Sequence, residues 1–130
     1  MAKAARLYSI FMLLIFVGSF IADLGRVASL GPASMLGAFM VPVLIGIPTV
    51  PALMAIGAER PRTEAFAIVA NNIYLFILAA AAVGFGFSFV TKPNPNFFAW
   101  LMVGAIVALC FVLNIIALRR QRTARVAESI

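Results

Sequence analysis

Four long apolar runs, at residues 7–22, 33–57, 65–90 and 97–118, constrain this chain more than anything else in it. A helix rises about 1.5 Å per residue, so about 20 apolar residues cross the ~30 Å hydrocarbon layer of a bilayer. The last three runs reach that length outright, and the first reaches it where its helix continues past Asp23 to about residue 28. A membrane-spanning strand would alternate polar and apolar side chains over runs of about ten residues, and no such alternation occurs. The expected fold is therefore an all-α integral membrane protein with four transmembrane helices. They fall at about 7–28, 33–57, 65–90 and 97–120 within a single domain, 1–130, that ends in a basic cytoplasmic tail at 119–130. Composition points the same way: 65% of residues are hydrophobic, 11% are charged and the mean hydropathy is +1.13, all outside the range usual for soluble domains.

The charges that remain set an orientation. With the N-terminus in the cytoplasm, the inner side holds Lys3, Arg6, Arg60, Arg62, Arg119, Arg120, Arg122 and Arg125, against Arg26 and Lys92 outside. Basic residues are retained on the cytoplasmic side of short loops, so both termini are expected there, in a bacterial inner membrane. The same asymmetry argues against dual-topology insertion, which needs balanced charge. A net charge of +6 on a soluble chain would suggest nucleic acid, but here the basic residues flank apolar runs and no basic-aromatic surface is left to stack bases. The N-terminus imitates a secretory signal. Phe20 stands two positions before Ala22 where a small residue would favour cleavage, so the run reads as an uncleaved first helix.

The second run carries Pro42, Pro48 and Pro51. Each lacks an N–H and crowds the carbonyl four residues back, so a helix here is expected to kink or break, releasing the carbonyls of Ala38, Leu44 and Ile47. In lipid such groups need partners from neighbouring helices, from hydroxyls such as Thr49, or from water in a cavity. Two readings follow: a bent helix surrounded by protein, or a broken helix of the kind that builds transporter sites.

Other features read first as packing. Ala80, Gly84 and Ser88 recur every four residues and make a smooth stripe beside a ridge of Phe85 and Phe89. Asn71 and Asn72 in the third run and Asn114 in the fourth lie at matching depth, which suggests an amide contact between those helices, with a polar substrate site as the alternative. Asp23 and Arg26 are three residues apart, as an interfacial ion pair would be, although a carboxylate near a membrane also suits an ion pathway. Glu59 and Glu64 flank Pro61 in what looks like an ordinary short turn. Residues 91–100 read as a short outer loop with Phe97, Phe98 and Trp100 at the interface, and Tyr8 suits the opposite one. Arg119, Arg120, Arg122 and Arg125 suit anionic headgroups on a tail that extends the last helix by a turn or two. Cys110 reads as a small core hydrophobe.

Function is the least legible property. There is no histidine, one cysteine at lipid depth, no glycine-rich phosphate loop and no pair of acids at catalytic spacing, so no catalytic residue, metal ligand or cofactor site is expected. Bound lipids are the only ligands anticipated. The expected role is a non-catalytic accessory or structural subunit that packs against partner transmembrane helices in a larger membrane complex. The alternative is a small homo-oligomeric channel or transporter built around the second helix. In topology alone the chain resembles several groups of small bacterial membrane proteins, and no motif carries a residue role over from them.

Overall fold

The computed structural model describes residues 2–93 and 95–129; Met1, Asn94 of the outer loop and Ile130 of the basic tail lie outside the described residues. The described residues form five helices: α1 (Ala2–Ala22), α2 (Leu24–Ser29), α3 (Pro32–Ala55), α4 (Pro61–Thr91) and α5 (Phe97–Ser129). No strand occurs among them. Four of the five, α1, α3, α4 and α5, are long and apolar enough to cross a membrane.

The helix ends follow from local chemistry. Gly31, at φ +110°, takes a backbone conformation that side chains disfavour, and Pro32 then opens α3 at a first-turn position where a missing N–H costs nothing. Gly57, at φ +80°, turns the chain after α3, and Pro61 opens α4. Pro93 and Pro95 separate α4 from α5.

Three boundaries differ from expectation. The first helix, expected over about 7–28, divides at Asp23, a turn residue (φ −93°, ψ 0°) that still bonds back to the Ser19 carbonyl and accepts from the Val27 amide before α2 continues. The last helix, expected over about 97–120 with a turn or two more in the basic tail, runs through that tail to Ser129. The second spanning helix is not broken: α3 is continuous across Pro42, Pro48 and Pro51.

The long helices alternate in direction around a square. α1 packs on α3 and α5, α4 packs on the same two, and α3 also meets α5 across the diagonal. One end of the bundle, the terminal end, holds both termini and the α3–α4 turn. The other, the loop end, holds residues 23–31 and 92–96. The buried core lies toward the terminal end, where Ala5, Ala52, Ala55, Ala67 and Ala117 let backbones approach closely around Ile56, Ile68 and Leu118. A second cluster of Met12, Val107, Cys110 and Phe111 continues it to mid-bundle.

Candidate functional site

At mid-bundle the four long helices are joined by a buried line of polar groups. Ser9 Oγ on α1 donates to Asn114 Oδ1 on α5 over 2.8 Å. Asn114 Nδ2 in turn donates to Asn71 Oδ1 on α4 over 3.4 Å. Asn71 Nδ2 then reaches the Pro48 carbonyl on α3 at 3.0 Å and the Ala67 carbonyl of its own helix at 2.7 Å. Ser9, Asn71 and Asn114 all have 0% exposure. The Cys110 thiol lies beside this line, 3.6 Å from Ser9 Oγ. Away from water each interhelical bond contributes on average about 0.6 kcal/mol, and up to about 2 kcal/mol. Its larger consequence is selective, because only one rotation of each helix brings all four groups together.

Asn72, grouped with Asn71 in the sequence, is elsewhere on the helix: its amide donates to the Ile68 carbonyl at 2.8 Å. Pro48 is buried, while Pro42 and Pro51 are half-buried. The donors that reach α3 do not serve the three carbonyls that the prolines release. The Thr49 hydroxyl bonds the Ile45 carbonyl, and Asn71 bonds that of Pro48 itself.

At the terminal end a second polar group closes the bundle. Glu64, in the first turn of α4 and 1% exposed, receives Arg125 Nη2 at 2.7 Å and Nη1 at 3.1 Å, and Gln121 Nε2 at 3.0 Å. Gln121 also donates to the carbonyls of Ala55 at 2.9 Å and Ala58 at 3.2 Å and accepts from the Gly57 amide at 2.8 Å. The end of α5 is thereby clamped to the α3–α4 turn and to α4. Glu64 is not an ordinary turn residue. Arg125 is half-buried and turned to Glu64, unlike Arg119, Arg120 and Arg122, which are exposed.

The loop end is organised differently. Ala80, Gly84 and Ser88 are all exposed, and a Cβ added at Gly84 would meet nothing within 4 Å. The neighbouring ridge faces inward, with the Phe97 ring stacked on Phe89 and Phe85 at centroid separations of 4.1 and 5.3 Å. Asp23 and Arg26 form a two-bonded pair at 2.5 and 2.7 Å in open surroundings. The hydrogen bonds from Arg26 hold the Asp23 carboxyl below the usual carboxylate range, with its charge adding to the effect. Tyr8, placed by sequence at an interface, directs its hydroxyl to the Ile106 carbonyl of α5 at 2.8 Å.

Sequence reasoning missed Ser9, Glu64 and Gln121. A usable signal was present on α5, where Asn114, Gln121 and Arg125 follow at intervals of seven and four and so share the face that carries Val107, Cys110, Phe111 and Leu118. Reading each polar residue against the helical period, instead of against membrane depth alone, would have joined Glu64 and Asn71 on α4 in the same way. Among the described residues no cluster of three or more His, Cys, Asp or Glu side chains comes together as a metal site. Compared with protein families, with curated proteins and with solved structures, the chain matches none.

Proposed function

We propose that this protein is a non-catalytic accessory subunit of a larger complex in a bacterial inner membrane, inserted with both termini in the cytoplasm and packed against transmembrane helices of other subunits. Its three α3 prolines bend that helix within the protein instead of opening a path through it. One observation carries the reading. Among the described residues every buried side-chain nitrogen and oxygen already has a hydrogen-bond partner within the chain, and Ser9, Glu64, Asn71 and Asn114 use theirs in joining helices. What the chain offers outward is apolar helix surface, including the bare stripe of Ala80, Gly84 and Ser88, which suits a close-packed partner helix.

The test combines isolation with site-directed crosslinking. A photoreactive residue at Ala80 or Gly84 is expected to capture one discrete membrane polypeptide, which also co-purifies with the chain in mild detergent. Val83, one residue and about 100° around the helix from Gly84, is exposed as well and is expected to capture none. A chain that purifies alone as a homo-oligomer and carries ion flux in reconstituted vesicles would overturn the proposal in favour of a channel.

A further inference from the structure

Near the loop end α4 and α5 leave an open seam. A hollow of about 660 Å³ runs between Leu75, Ala82 and Phe85 on α4 and Leu101, Gly104 and Ala108 on α5. Beside Gly104 the space is open, since a Cβ there would meet nothing within 4 Å. Along α4 the hollow spans residues 75–85, about 15 Å of helix, which is half of the ~30 Å hydrocarbon layer and thus the depth of one leaflet. Phe85 also borders a second hollow of about 330 Å³ at the helix ends, whose rim carries the Ser88 hydroxyl and Lys92. Among the described residues Lys92 makes no ion pair, while Asp23 and Arg26, the other charges at this end, are bonded to each other. Among the described residues no acidic side chain lines either hollow.

We propose that this seam holds one anionic phospholipid of the leaflet on the loop side, with an acyl chain along residues 75–85 and its phosphate beside Lys92. Size selects a chain over a helix: a helix about 10 Å across and 15 Å long fills about 1,200 Å³, whereas clefts for single small ligands run about 300–1,000 Å³. Charge selects the headgroup. Lys92 offers a cation to a phosphate, and among the described residues no carboxylate lines either hollow to meet the ammonium of a zwitterionic lipid. The inference rests on membrane insertion and not on the subunit reading.

Trp100, the one tryptophan of the chain, lines the seam and reports on it directly. The purified full-length chain is reconstituted in phosphatidylcholine vesicles containing a small fraction of brominated phosphatidylglycerol or of brominated phosphatidylcholine. Quenching of Trp100 by either lipid reports insertion; the ratio of the two reports the site. The anionic lipid is expected to quench about fivefold more effectively, as one basic contact provides. Lys92→Gln brings the ratio to about one and Lys92→Arg preserves it, each with wild-type helix content by circular dichroism. Gly104→Leu, which fills the seam while leaving Lys92 in place, lowers the ratio too. A wild-type ratio near one, a ratio that survives Lys92→Gln or Gly104→Leu, or a Trp100 shielded from both lipids in a fully inserted chain would each overturn the proposal.

Discussion

The two halves of this bundle are built from the same kinds of residue and packed in opposite ways. Toward the terminal end alanines face one another, the buried core is continuous, and Glu64, Gln121 and Arg125 tie α5 to α4 and the α3–α4 turn. Toward the loop end Ala80 and Gly84 face outward, α4 and α5 enclose an open seam, and contact rests on phenylalanine rings. Small residues, then, do not by themselves bring helices together. They permit close approach, and directional polar contacts decide where that permission is used, because lipid competes with apolar side chains on nearly equal terms. The terminal half is complete within one chain. The loop half leaves exposed apolar surface and an open seam.

The largest effect should come from opening the clamp. Arg125→Leu leaves Glu64 buried with Gln121 as its remaining side-chain partner, and removing one member of a buried ion pair costs about 3 kcal/mol or more. Unfolding in mixed detergent micelles, followed by circular dichroism, measures this; a change below about 0.5 kcal/mol, the range of ordinary surface substitutions, would remove the basis for calling the terminal half clamped.

Overpacking probes the contrast itself. Ala67→Leu inserts bulk where Ala67 has 0% exposure and should cost about 1–3 kcal/mol. Ala80→Leu, on the same helix but exposed, should stay within about 0.5 kcal/mol in the isolated chain while weakening capture of a partner. Equal effects at both positions would erase the distinction between the halves.

Asn114→Leu removes the central member of the polar line, leaving Ser9 Oγ with the Cys110 thiol alone and the side-chain oxygen of Asn71 without its donor, and should cost about 1–2 kcal/mol. Unchanged helix association and protein level would show that packing alone sets the register. The smallest effect belongs to the exposed Asp23–Arg26 pair. Because pairing depresses the Asp23 pKa, its contribution is present at neutral pH and is lost as pH falls through that depressed value, below the usual carboxylate pKa of about 4. Amide exchange over residues 24–29 should therefore be flat from neutral pH to about 5, after correction for intrinsic rates, and rise only under stronger acid.

Much of the fold was legible before any coordinates, and the reason is length. A run such as 65–90 has one use, and the observed α4, Pro61–Thr91, extends it by only four residues at its start and one at its end. Turns were legible as well, since Pro61 stands among Glu59, Arg60, Arg62 and Glu64 between two apolar runs, and Pro93 and Pro95 fall together in the polar gap after the third. The Asn71–Asn114 contact could be anticipated from depth because amides in an apolar helix have few alternatives to each other. The other halves of these polar groups were not. Ser9 is one of three hydroxyl side chains in the first run, with Tyr8 and Ser19, and nothing local singles it out, while Glu64 lies beside a proline turn where an acid is ordinary. Each acquires its role from a residue 105 or 61 positions away in the chain.

The sequence by itself determined that four long apolar helices exist and roughly where the chain turns between them, because hydrophobic length and backbone chemistry are local properties; it did not determine the division at Asp23 or how far α5 runs. Nor did it determine which face of each helix turns inward. Almost every face of these helices is apolar, so burial could not choose between them; that choice fell to a few hydrogen bonds whose partners meet only when all four helices are in place. Where those bonds are present the bundle is closed, and where they are absent it stays open.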